Sequence, residues 1–400
     1  MLAVGREEVG GKTADFAAGV ELIVFDDHEE IDPSDSLVLT DNETLNNPLS
    51  GEPALMQKFP ATGGFVPLGA KRPDGSDHPH AGTGFLVLIK HGVPPRALSG
   101  DVNGYDGSWV LDADILRQIE VHQLSFDGER ITVTATDTFG FKELLPGHTI
   151  FNRGLGPAVA DDDDLLLLMQ GGDASLDDRR WATDVGSGCM RWTHGEDGRW
   201  LPRDYNDILG DISGYEASMV RKDDGSLLAT ARQTGRDIPE KFSHFLWQSV
   251  DNGRRWKLVF ERNRARAETP ITLGKAGDGT VFFAGNILTG AFVGDSALGY
   301  WREISAIWPV RDDCLNTENP LIHRCASFEW GPPPSDRGWN VDHLIPNQVH
   351  LADGKWHTLI TYRGMDRAES SRGSQPTEHT GLYIDEVLSA GPVGLPPWNF

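Results

Sequence analysis

Short runs in which apolar and polar residues alternate recur along the whole chain, and each is bounded by turn-forming residues. Ile131-Thr-Val-Thr-Ala135, Leu227-Leu-Ala-Thr-Ala231, Val281-Phe-Phe-Ala284 and His357-Thr-Leu-Ile-Thr-Tyr362 are examples. Runs this short, rich in β-branched and aromatic residues, predict strands rather than helices. Asp-Gly occurs seven times, beginning at Asp74, Asp106, Asp127, Asp197, Asp224, Asp278 and Asp353. Such a pair predicts a tight hairpin corner whose two central residues both take positive φ. The repeated phrase is therefore strand, corner, strand. Its uneven spacing favours hairpin-rich blades carrying insertions over a sandwich with uniform loops. One short helix is expected around Leu111–Arg117. Residues 1–55 are polar and are expected to form an irregular segment wrapping the rest, with residues 56–400 as a single domain.

Composition supports the all-β reading, because 46 glycines, 24 prolines and 12 tryptophans in 400 residues suit many short strands and tight turns. The formal charge of −24 disfavours nucleic acid, whose non-specific affinity comes from Lys and Arg neutralising phosphates. No apolar stretch is long enough to span a bilayer, so no membrane partner is expected. The opening residues Met1–Glu8 lack the apolar core of a secretory signal. The expectation is a monomeric secreted or periplasmic protein whose signal has been removed, with a cytoplasmic one as the alternative. Three cysteines make no disulfide framework, and Cys189 is expected to be a small buried residue. The acidic run Asp161–Asp164 reads as a solvated loop.

Ser249-Val-Asp251-Asn-Gly253-Arg-Arg-Trp256 fits the Ser-x-Asp-x-Gly-x-x-Trp pattern of an Asp box, and Thr193-His-Gly-Glu-Asp197-Gly198-Arg-Trp200 is a degenerate copy. The segments Tyr215–Arg232 and Glu268–Asn286 resemble blades of the sialidase superfamily. The Arg-Ile-Pro that opens true sialidases is replaced by Phe65-Val-Pro67, which puts sialidase activity in doubt. The chain is more similar to propeller polysaccharide lyases of the ulvan lyase and rhamnose–glucuronate lyase type. That resemblance implies a seven-bladed β-propeller with Asp-box hairpins, a catalytic His, Tyr and Arg on one face, and in some members a structural zinc. It implies cleavage of a uronic-acid-containing anionic polysaccharide or oligosaccharide by β-elimination. An exo-acting glycoside hydrolase, a rhamnosidase or sialidase relative, is the competing enzyme reading. A non-catalytic sugar-binding propeller is the third.

β-Elimination needs a base for the C5 proton, an acid for the leaving oxygen, and positive charge beside the developing enolate. Tyr215 opens one strand and Arg232 closes its hairpin partner, so both can face one site. By resemblance Tyr215 is the acid or base and Arg232 the carboxylate clamp. His80, in a loop of small residues, is the first histidine candidate, His122 the second and His148 the reserve. Arg302 and Arg363 lie beside aromatic residues and are candidates for binding substrate. Trp308 and Trp339 are packing residues or stacking platforms. Two thiolates near imidazoles suit tetrahedral zinc. With the resemblance, the expected ligands are His244, Cys314, Cys325 and His343, with His323 as substitute for one of them. No organic cofactor is expected.

Overall fold

The computed structural model describes residues 2–6, 19–23, 36–40, 43–46, 51, 53–72, 74–93, 117–174, 186–209, 214–233, 243–263, 269–286, 303–310, 321–332, 338–350, 356–366, 379 and 381–387. The fold is all-β. Where a single domain is expected, the chain divides into two compact units, one built on Met1–Asp207 and one on Ile208–Glu369.

In the first unit, β1 (Leu2–Arg6), β2 (Gly19–Ile23) and β3 (Ser36–Thr40) form a three-stranded antiparallel sheet. Strands β4 (Thr44–Asn46), β5 (Pro53–Phe65), β6 (Thr83–Val93), β7 (Arg117–Phe126) and β8 (Ile131–Gly140) form a meander in chain order. Four strands thus lie within residues 1–55, where an irregular segment is expected, and Arg117 starts a strand rather than closing a helix. Residues 111–116 lie outside the described ones. Strands β9 (His148–Arg153), β10 (Val159–Asp161), β11 (Asp164–Asp173), β12 (Gly186–His194) and β13 (Trp200–Asp207) complete the unit, β9 and β10 both pairing with β11. Phe85 stacks on Trp192 at 4.1 Å in its core.

The second unit holds three consecutive meanders. They are β14 (Gly214–Arg221), β15 (Leu227–Gln233), β16 (Ser243–Ser249) and β17 (Lys257–Asn263); β18 (Thr272–Lys275), β19 (Val281–Asn286), β20 (Ile304–Pro309) and β21 (Leu321–Cys325); and β22 (Trp339–His350), β23 (Trp356–Asp366) and β24 (Gly381–Glu386). A five-residue helix, α1 (Ala326–Trp330), follows β21. Trp308 and Trp339 are each 2% exposed, so both are core residues and not sugar platforms.

The meanders are the blade unit of a propeller. Besides the three-stranded sheet β1–β3, five sheets stand among the described residues, not seven. Corners overcount blades, because Asp-Gly marks a hairpin and a blade can hold several or none. The Asp74 corner closes only the isolated bridge Lys71↔Asp77, and the pairs at Asp106 and Asp353 lie outside the described residues.

The corners also differ in kind from the two-residue turn. At the Asp224 corner the Gly225 N–H donates to the Lys222 carbonyl and the Lys222 N–H to the Ser226 carbonyl. This is a three-residue loop, a turn closed by a left-handed glycine (Gly225 φ 84°), and the Asp keeps an ordinary backbone. The Asp carboxylate accepts the N–H two residues on, as Asp224 does from Ser226 at 2.9 Å. The same pattern recurs at Asp74, Asp197 and Asp278. In the Asp box, Asp251 accepts the Arg255 N–H at 2.9 Å, and the Ser249 hydroxyl accepts that of Gly253 at 2.9 Å. The acidic run is not simply solvated. Asp161 and Asp164 hold Arg191 at 2.6 and 3.0 Å, and Asp163 holds Arg72.

Candidate functional site

Two strands of the second unit carry matching irregularities. The pairing of β14 with β15 slips between Tyr215 and Ser218, and that of β22 with β23 slips between Asp342 and Ile345. Each bulge contains a non-glycine residue in the left-handed region, Glu216 (φ 51°) in one and His343 (φ 56°) in the other. Such a conformation costs about 1–3 kcal/mol and persists only where the surroundings fix it. Strand β18 does so from both sides. The buried Ser218 hydroxyl accepts the Leu273 N–H at 3.0 Å, and the fully buried Thr272 hydroxyl donates to the Leu344 carbonyl at 2.5 Å. Adjacent residues of one strand therefore secure the two bulges.

The bulges bring five side chains into one line. Arg232 Nη1 donates to Glu216 Oε2 at 2.8 Å, and Glu216 Oε1 lies 3.8 Å from His343 Nε2. His343 Nδ1 lies 3.1 Å from Asp342 Oδ1. Arg363 grips both oxygens of Asp342, Nε to Oδ1 at 2.5 Å and Nη2 to Oδ2 at 3.2 Å. Asp342 is fully buried, whereas Glu216 and His343 keep 15% and 21% side-chain exposure. Burial works to raise the Glu216 pKa, but the Arg232 charge and His343 outweigh it and hold the carboxyl well below the usual range. The line is thus a buried carboxylate beside one imidazole nitrogen, an ionised carboxylate near the other, and a guanidinium at each end. It can transfer a proton at His343 Nε2 and present positive charge nearby.

Of the expected residues, Arg232, Arg363 and His343 enter this line, His343 having been expected as a metal ligand, and Glu216 and Asp342 join them. Glu216 and Asp342 were missed because a bulge without glycine leaves no mark in the sequence. Tyr215 is in register with Arg232, next to Glu216. The side chains of Tyr215 and His244, and the whole of Arg302 and Cys314, lie outside the described residues. Cys325 precedes α1, where its backbone N–H donates to Glu329 at 3.2 Å. His323 pairs with Asp385 at 3.1 Å. His343 lies instead between the Asp342 and Glu216 carboxylates. Among the described residues no group of three or more His, Cys, Asp and Glu could hold a metal ion.

The other histidine candidates belong to the first unit. His122 is 1% exposed, with Nε2 at 2.9 Å from Glu120 and Nδ1 at 3.1 Å from the Thr136 hydroxyl, so both nitrogens are taken up inside the protein. The half-buried His148 packs beside Tyr205 at 5.2 Å. His80 is half-buried and stacks on His194, ring centroids 4.0 Å apart.

No family model matches the chain, and neither does any curated protein. Solved structures give remote likenesses. A Trypanosoma rangeli sialidase in complex with sialic acid is 13% identical with a TM-score of 0.48, over 92% of this chain and 49% of that one. This chain therefore spans about half of that protein's length. A protein of unknown function from Dyadobacter fermentans is 14% identical with a TM-score of 0.47, over 96% and 97% of the two chains. The NanB sialidase of Streptococcus pneumoniae is 11% identical with a TM-score of 0.45, over 96% and 70%. Identities and TM-scores this low assign neither family nor activity.

Proposed function

We propose that the chain is a polysaccharide lyase that cleaves a uronic-acid-containing polysaccharide of the ulvan or rhamnose–glucuronate type by β-elimination at the Glu216–His343 site. The observation that carries this reading is the line Arg232–Glu216–His343–Asp342–Arg363. Elimination requires a base, and His343 is the candidate, with Nδ1 3.1 Å from the buried Asp342 and Nε2 3.8 Å from Glu216. Arg232 and Arg363 bring two positive charges to the line, suited to stabilise the charge that the uronate carboxylate gains as the C5 proton leaves. The C5 electrons form the C4–C5 double bond, the bond from C4 to the glycosidic oxygen breaks, and that oxygen takes a proton, for which Tyr215 is the proposed donor.

The hydrolase alternative fits this site less well. A hydrolase that relies on a pair of carboxyl groups needs one of them protonated as general acid. Glu216 is held ionised and Asp342 is sealed under Arg363. The test is incubation with ulvan and with a rhamnose–glucuronate polysaccharide, following ultraviolet absorbance and reducing ends together. Elimination raises both, and His343→Gln should abolish both. Reducing ends without absorbance would establish hydrolysis instead, and neither signal would overturn the lyase reading for these substrates.

A further inference from the structure

We propose that His80 and His194 of the first unit form a binding site for one oxyanion group, a carboxylate or a sulfate, taken up together with protons. The two imidazoles are stacked, centroids 4.0 Å apart and planes 21° apart. Both stand edge-on to Trp200, at 5.6 and 5.2 Å. That tryptophan is fixed in three ways. Gln123 receives its backbone N–H at 2.9 Å and donates to its carbonyl at 3.0 Å, and the indole N–H donates to Thr83 at 3.2 Å. The loop bearing His80 is equally constrained. The Thr83 hydroxyl donates to the His80 carbonyl at 2.8 Å, and Gly82 takes φ 80° where a Cβ would fall 2.8 Å from the Phe126 carbonyl. His78 supports the pair from below, committed through Nε2 to the Asp162 carbonyl at 3.0 Å and through Nδ1 to the His80 N–H. Two half-exposed imidazoles are thereby held side by side on a rigid base.

The geometry selects the ligand class. Ring nitrogens direct their lone pairs and N–H bonds within the ring plane, so two nearly parallel rings cannot converge on a single metal ion. Two imidazoles held this close, when protonated, instead match an anion, whose charge offsets both. The charges facing the pair leave a role for it. Arg72 and Asp163 neutralise each other, Asp197 acts on His194, and His78 adds a third imidazole. Burial and the neighbouring imidazoles hold His80 below its ordinary pKa, and burial does the same for His194. An oxyanion supplies the charge that both protonated rings lack, so its binding takes up protons and strengthens as pH falls. The site is independent of the lyase reading, since it draws on no residue of the second unit.

The test is titration of the full chain with sodium sulfate and with sodium glucuronate at pH 7.5 and 5.5, at constant ionic strength, followed by calorimetry and by histidine side-chain NMR. Affinity for at least one of the two should rise about tenfold or more at pH 5.5. The His80 and His194 resonances should move together, and His80→Ala and His194→Gln should each remove the gain while circular dichroism stays unchanged. Preference for glucuronate identifies a carboxylate, and preference for sulfate a sulfate group. Equal affinity at both pH values, binding unaffected in both variants, or a response to zinc chloride but to neither anion would overturn the proposal.

Discussion

Glu216 and His343 hold backbone angles that their side chains do not favour, and behind His343 stands a buried ion pair. Asp342 is fully enclosed, and its two oxygens are shared between Arg363 and His343. Removing one partner of such a pair leaves an uncompensated buried charge, which costs about 3–5 kcal/mol, whereas removing both is much less harmful. Arg363→Met is therefore expected to lower stability to urea by that amount. The double variant Asp342→Asn/Arg363→Met should lose clearly less than the sum of the single changes. Additive losses would show that the two groups are not coupled. The sequence offered Arg363 as a substrate residue through its aromatic neighbour Tyr362, but that cue is local. Its actual partner lies 21 positions earlier, across a β-bulge. Pairings of that kind depend on register, which a one-residue irregularity shifts and which no alternation of apolar and polar residues records.

At the scale of elements, the Asp-Gly corners and the Asp box were legible because their physics is contained within five to eight consecutive residues. A left-handed glycine and a carboxylate accepting a nearby N–H suffice. The bulges were not legible, because what stabilises them is another strand. Ser218 and Thr272 read as ordinary strand residues until Leu273 and Leu344 are seen opposite them. Two contrasting outcomes follow. Ser218→Ala or Thr272→Val each removes one buried hydrogen bond, about 1–3 kcal/mol, and lets a bulge relax. Turnover should fall at least about tenfold, since a misplacement of about 1 Å can cost a hundredfold, while binding of the polysaccharide changes less. Thr272→Ser, which keeps the hydroxyl, should restore the rate. Asp251→Ala in the Asp box should cost a similar ~1–2 kcal/mol but leave kcat and KM unchanged, because its bonds close only its own turn. Loss of turnover in Asp251→Ala with the fold intact would contradict the separation of the two roles.

At the scale of the whole molecule, fold class followed from alternation and turn chemistry, but the number of sheets and the division into two units did not. Counting corners counts hairpins, and grouping hairpins into sheets is decided by packing between segments far apart in sequence. Charge is a whole-chain property that the sequence states directly, and the fold gives it a sign with respect to pH. Three paired carboxyls are held below their ordinary values. Burial opposes this in each, but His122 and Lys90 outweigh it for Glu120, which lies at about 2. Arg232 and His343 do so for Glu216, and His323, Tyr362 and Arg324 for Asp385. For such groups the unfolded chain binds protons more readily, so their contribution is fully present above about pH 4.5 and is lost as pH falls towards 2. His80 and His194 are also depressed, which for an imidazole means that the fold favours the neutral form. Their contribution is complete above pH 6.5 and declines as pH falls below that value, adding to the acid loss and beginning earlier. The urea midpoint should accordingly be level from pH 8 to about 7, fall modestly towards pH 5, and fall steeply below 4.5. His80→Ala should flatten the first stage alone, and Glu120→Gln should reduce the second. A midpoint that rises on acidification from pH 7 to 5 would contradict this order of loss.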